Sequence, residues 1–200
     1  REIPGSSCGC SKGLVRMALQ EAVRGSFNRI SVDGDTSTND TCVLLANGMA
    51  GNAEITEKDE SYILFVEALK ALCVKLARQM AKDGEGAKHL ITCTVSGARD
   101  EQSAETIAKS VIASSLTKAA VFGCDANWGR VLCAMGYSGE SFDPDRVDVT
   151  FSSENGAVDV CRAGRGLSFD EEAAKRVLSA GEVVIAIAMG EGEGCCTCWG

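Results

Sequence analysis

The sequence predicts an α/β fold, and three observations carry that expectation. Residues 59–82 show a long amphipathic helical pattern. Residues 89–96 alternate, and residues 183–189 form a continuous apolar run of strand length. Helix-like and strand-like segments interleave along the whole chain instead of separating into blocks. With 200 residues, 45% hydrophobic and 24% charged, the chain has the balance of a globular domain with its own core.

Residues 1–11 carry no periodic signal and are expected to form an irregular lead. Residues 12–200 are expected to form a single α/β domain. Leu14, Met17, Ala18, Ala22 and Val23 recur at helical spacing, predicting a helix over 12–24 that Gly25 closes. Residues 27–32 alternate and predict a strand. Residues 33–40 form a polar turn, and the apolar residues 42–46 are strand-like. In the 59–82 helix, Ile63, Val66, Leu69, Leu72, Cys73, Leu76, Ala77 and Met80 form one stripe. Thr56 followed by Asp59 resembles a capping box at its start. Further helices are predicted over 103–115, 128–135 and 171–179. Strands are predicted over 89–96, 119–122, 147–151 and 183–189.

The net charge of −8 argues against a nucleic-acid surface, which needs clustered Lys and Arg to displace phosphate counterions. It argues equally against docking on an anionic membrane. No apolar run approaches the roughly 20 residues of a bilayer-spanning helix. The 11 cysteines are an odd number in a chain too long for a small disulfide scaffold. Cys42, Cys73, Cys93 and Cys133 sit in apolar stretches and are expected to be small buried hydrophobes in a reducing compartment.

Four segments have the composition of sites. Between Ser26 and Thr41, the oxygen-bearing Asp33, Asp35, Asn39 and Asp40 suit either a hard cation or a turn whose side chains bond their own backbone. The EF-hand pattern fails there, because Thr38 and Leu44 occupy the positions that need Gly and Glu. Asp83-Gly84-Glu85-Gly86-Ala87 places a carboxylate between two glycines, either to face a cleft or simply to end a helix. In Phe122-Gly123-Cys124-Asp125-Ala126-Asn127-Trp128-Gly129-Arg130, Asp125 or Asn127 is suited to cap the next helix, and Trp128 to anchor packing. The last segment, Gly190-Glu191-Gly192-Glu193-Gly194 with Cys195, Cys196 and Cys198, follows a buried strand. Its cysteines, even with Cys8 and Cys10, lack the Cys-x2-Cys zinc spacing, and His89 is the one histidine, so no metal is expected. Phosphate-binding P-loop and Gly-x-Ser-x-Gly signatures are absent. Acyl transfer without a Ser-His-Asp triad would need another activation, such as an N-terminal Thr that uses its own amine as base.

Taken in order, these segments resemble the ornithine acetyltransferase (glutamate N-acetyltransferase) family over roughly residues 12 to 200. They are joined by Gly136-Tyr137-Ser138-Gly139, Phe142-Asp143-Pro144-Asp145-Arg146 and the terminal Trp199-Gly200. The resemblance is to the family's C-terminal β chain. It implies a layered α/β sandwich like that of N-terminal-nucleophile hydrolases. It also implies a precursor that cleaves itself before a threonine, with that threonine as nucleophile of a ping-pong acetyl-enzyme cycle from N-acetylornithine to glutamate in arginine biosynthesis. No cofactor is implied, although some members also use acetyl-CoA as acetyl donor. The implied partner is an α chain from the same precursor, in an α2β2 or larger particle. Bacterial members are cytoplasmic and eukaryotic ones mitochondrial. On this sequence, Glu85 matches the substrate-contacting glutamate, and the nucleophilic Thr falls at or just before Arg1. Cys195, Cys196 and Cys198 stand where small Ser, Thr or Ala are usual. The altered start keeps a second reading open, a catalytically inactive scaffold or binding module of the same fold.

Overall fold

The computed structural model describes residues 9–84 and 86–200. Its chain is mixed α/β, as the interleaved pattern predicts. Contacts group it into two compact units, one made of Arg29–Gly34 with Met80–Gly200 and the other of the chain up to Asn28 with Asp35–Gln79. The sequence alone had suggested one domain over 12–200.

The smaller unit is built on two helices, α1 (Lys12–Arg24) and most of α2 (Glu60–Lys82). Its core holds Ala18 and Ala22 from α1 with Tyr62, Val66, Leu69 and Cys73 from α2. Val66, Leu69, Cys73 and Ala77 of the predicted stripe are buried, but the stripe begins at Tyr62, and Ile63 is 58% exposed. Asp59 itself is the cap of α2, since its Oδ1 accepts from the Tyr62 amide at 2.9 Å; the expected pairing with Thr56 is replaced by this single bond. Ile55 joins the chain ahead of α1 through a bridge to Cys10.

The larger unit contains a six-stranded sheet. In chain order its elements are β1 (Leu90–Ala98), α3 (Glu101–Ala113), α4 (Ser115–Phe122), α5 (Trp128–Gly136), β2 (Asp148–Ser153), β3 (Gly156–Arg162), β4 (Arg165–Gly166), α6 (Glu171–Leu178), β5 (Glu182–Ala188) and β6 (Gly194–Trp199). The strand order is β4-β3-β2-β5-β1-β6. β1 runs parallel to β5 and antiparallel to β6, while β2 is antiparallel to both β3 and β5. α3 packs on β1 and β6, and α6 packs on β2 and β3. Strand alternation then sends Ile91, Cys93, Val95, Val149, Phe151, Ile185, Ile187, Cys196 and Cys198 into one core.

Several expectations are corrected. Residues 119–122 lie in helix α4, not in a strand. Four apolar residues carry no readable period, and the deciding features lie upstream: Ser114 caps the helix through the Thr117 amide at 3.3 Å, and Thr117, Ala120 and Val121 are buried at helical spacing. Residues 27–32 form a 3-10 turn, Phe27–Arg29, followed by a single bridge from Ile30 to Trp199. Residues 42–46 carry isolated bridges and no strand. β3 and β4 were not anticipated, although Asn155-Gly156 beside alternating Val158 and Val160 is a hairpin signal. β6 occupies the cysteine-rich segment: Cys196 and Cys198 are buried, with Sγ atoms 3.9 Å apart, and Cys195 points outward. Cys73 and Cys93 are buried as expected, but Cys42 is half-buried and Cys133 is exposed, because α5 turns Val131, Ala134 and Met135 inward instead.

Asp100 begins α3 by accepting from the Ser103 amide at 2.8 Å. That backbone bond, then Arg99, holds the Asp100 carboxyl below its ordinary 3.8. Its contribution to stability is complete above 3.8 and is lost as pH falls through the lower folded value. Asp100→Asn, which keeps an acceptor but does not titrate, should therefore flatten the loss of stability with acid in urea titrations below pH 3.8. An acid limb as steep as that of the wild type would contradict this assignment.

Candidate active site

Two ends of β1 collect the segments that the sequence marks. The first lies at its start. The Gly84 amide reaches Ala81 O at 3.4 Å as α2 ends, the Ala87 amide reaches Gly84 O at 2.9 Å, and Gly86 takes φ +74, which glycine adopts at little cost. Glu85, the predicted substrate contact, lies outside the described residues. Lys88 Nζ stands 4.9 Å from the centre of the Phe122 ring at the end of α4, a cation–π contact. His89 Nδ1 lies 2.8 Å from Ala180 O, so its ring ties the start of β1 to the loop before β5.

Segment 31–32 passes beside this turn. Ser31 donates its amide to Trp199 O at 3.0 Å, placing the segment along β6. Lys118 Nζ donates to Val32 O at 2.6 Å and to Ser31 O at 3.3 Å. Burial draws the Lys118 amine below its ordinary 10.5, with Asp33 opposing. Beyond it, residues 37–41 bond one another, with Asn39 accepting from Ser37 Oγ at 3.4 Å and Thr41 Oγ1 donating to Asn39 O at 3.3 Å. This local bonding favours the turn reading of that stretch. Among the described residues, no three His, Cys, Asp or Glu side chains form a group able to hold a metal ion.

The second collection lies at the other end of β1. Gly97 has φ +71, and a Cβ there would stand 2.8 Å from the Gly190 amide nitrogen. The amides of Glu191 and Gly192 both donate to Gly97 O, at 2.7 and 3.0 Å. Glu191 Oε1 accepts from the Asp143 amide at 2.6 Å, and the Arg146 guanidinium donates to Gly190 O. The Phe142–Arg146 and Gly-Glu-Gly segments thus brace each other. The 122–130 segment is also structural: Asn127, not Asp125, caps α5 through the Arg130 amide at 3.2 Å, while its own amide donates to Asp125. Trp128 packs so tightly on Gly166 that a Cβ would meet its ring at 2.7 Å.

Two residues that sequence reasoning missed are Lys118 and Arg29. Arg29 bonds Glu101 at 2.5 Å and lies 3.8 Å from Glu105. Burial opposes its charge, but Cys196, Glu101 and Glu105 outweigh that and hold its pKa above the ordinary value. Cys196 is lowered by its bond to Cys198 and by Arg29, against burial, and Cys198 is raised. Arg29 lies within the Ser26–Thr41 segment but was not singled out there, and Lys118 lies outside the marked segments; both act through partners distant in the chain.

The ArgJ family model matches residues 7–200. The arginine biosynthesis bifunctional protein ArgJ 1 of Clostridium acetobutylicum is 49% identical over 190 residues, covering 95% of this chain and 47% of that protein. The mitochondrial arginine biosynthesis bifunctional protein ArgJ of Schizosaccharomyces pombe is 42% identical over 191 residues, covering 94% of this chain and 43% of its own length. The crystal structure of the arginine biosynthesis bifunctional protein argJ from Bacillus halodurans superposes with a TM-score of 0.94 at 37% identity, covering 100% of this chain and 92% of that one. The chain spans about half the length of the curated relatives it matches.

At the braced corner, Gly97→Ala forces a side chain into a positive-φ position against Gly190. It should cost roughly 1–3 kcal/mol. The measurement is the urea midpoint at unchanged slope, and a midpoint equal to that of the wild type would contradict the close approach.

Proposed function

The chain belongs to the ArgJ family, and from that premise we propose that it is the β portion of an acetyltransferase moving acetyl from N-acetylornithine to glutamate. The observation that carries the proposal is the family match over residues 7–200. It is supported by the glycine turn, closed by the Ala87 amide on Gly84 O, that precedes the interior strand β1.

In this reading a threonine with a free amine, placed just before Arg1 in the precursor, is the nucleophile. Its amine takes the hydroxyl proton as the oxygen attacks the acetyl carbonyl, and returns it to the departing ornithine nitrogen. The glutamate amine then attacks the acetyl ester, regenerates the threonine and leaves as N-acetylglutamate. Acetyl passes from one substrate to the other through the threonine ester, with no resident cofactor or metal, and acetyl-CoA is a second acetyl donor. Glu85 holds the substrate ammonium by charge-assisted hydrogen bonds. The precursor cleaves itself, and its α chain completes the site in an α2β2 or larger particle. A partner is also supported by the sheet face opposite the helix-covered core. There Thr92, Thr94, Ser96, Thr150, Ala186 and Thr197 are half-buried small side chains, suited to close packing against a second layer. The particle resides in the cytoplasm of a bacterium, or in mitochondria if the source is eukaryotic.

The test uses the full precursor. Glu85→Ala should raise the KM for substrate about 10- to 100-fold, the loss of one hydrogen bond to a charged group, with the acetyl-enzyme still forming at saturating substrate. Unchanged KM would remove Glu85 from substrate binding. Absence of any transfer by the wild-type enzyme would favour the inactive-scaffold reading.

A further inference from the structure

α4 is short, yet it touches the surroundings of the Gly84 turn in two directions. From its middle, Lys118 Nζ donates to the carbonyls of Ser31 and Val32, the latter at 2.6 Å. From its end, Phe122 receives Lys88. The chain between these contacts closes a loop of interactions, because Val32 stands against Gly84: a Cβ on Gly84 would be 2.9 Å from Val32 Cγ1. Two main-chain carbonyls converging on one ammonium are a strong, directional tether. Lys118 as a whole residue is half-buried. The glycine at 84 admits Val32 at this distance, and a larger residue there would displace either the turn or the segment.

We infer that Lys118 is a positioning residue for substrate binding: it holds Val32 against Gly84 and so sets the turn that the Ala87 amide closes on Gly84 O. This rests on the role proposed above for Glu85. Lys118 touches no reacting atom, so its loss should weaken substrate binding and leave the chemical step largely intact. A Lys that only stabilised the fold would instead change the amount of active enzyme and leave KM alone.

The experiment uses the complete two-chain enzyme matured from its precursor, with two readouts. Steady-state kinetics of Lys118→Met should show KM for N-acetylornithine and for glutamate raised about tenfold, with kcat within about threefold, as loss of a charged hydrogen-bond donor predicts. Lys118→Arg, which keeps the charge and donors, should recover most of the loss. Hydrogen exchange of the Ala87 amide, which bonds Gly84 O, should quicken about tenfold in Lys118→Met, while the Cys93 and Ile185 amides stay protected. KM and Ala87 exchange both equal to those of the wild type overturn the inference. If Lys118→Met does not fold, Val32→Ala removes the side chain that meets Gly84 and leaves the lysine bonds in place. It should raise KM and quicken Ala87 exchange in the same way, and an unchanged result overturns the inference. If the wild-type enzyme transfers no acetyl, the proposed function fails, while the Ala87 exchange still decides whether Lys118 sets the turn.

Discussion

The parallel pairing of β1 with β5 is the constraint on which the larger unit depends. Leu90 to Ser96 matches Glu182 to Ala188 residue for residue. A parallel neighbour is out of reach of a hairpin, so everything between the two strands, α3 to α6 and β2 to β4, is one long crossover. The pairing also fixes both ends of β1. At its start, the Leu90 amide bonds Gly181 O and His89 bonds Ala180 O, which anchors the chain leaving the Gly84 turn. At its end, Met189 bonds Ser96 O and the next residues fold over Gly97. Burial of Cys93, Val95, Ile185 and Ile187 at 1% exposure or less makes the register costly to shift, since a slip by one residue would turn polar Thr92 and Thr94 into the core.

Much of this frame was legible in the sequence because it rests on periodicity. The helix at Lys12–Arg24 matches the prediction end for end, and those at Glu60–Lys82, Trp128–Gly136 and Glu171–Leu178 match within a residue. So do the interior strands β1 and β5, within two residues. What was not legible depended on features without a period. α4 was hidden because its last four residues, 119–122, suit either structure, and the features that mark a helix, among them the Ser114 cap, lie upstream. β6 was hidden because cysteine at 195, 196 and 198 suggested chemistry, whereas the alternation of exposed Cys195 with buried Cys196 and Cys198 is that of an ordinary half-buried strand.

The candidate site was legible in a different way. Segments that looked catalytic by composition divide into those that brace the frame and the glycine turn that carries the proposed substrate contact. Asn127 caps a helix, Glu191 holds the Asp143 amide, and Arg146 holds Gly190, so their polar groups are used internally. The glycines flanking Glu85 lie at the start of the strand that the whole sheet fixes. Lys118 and Arg29 escaped notice because their partners are 86 or 87 and 72 residues away in sequence, and no local pattern records such pairings.

These features describe a frame that fixes a short turn at the start of β1. The most direct test is intact-mass analysis of the co-purified precursor products after incubation with N-acetylornithine and no glutamate. The account predicts one acetyl group on a threonine-initiated chain containing this sequence, and its release as N-acetylglutamate when glutamate is added. Two folded, associated chains that never carry acetyl would contradict it.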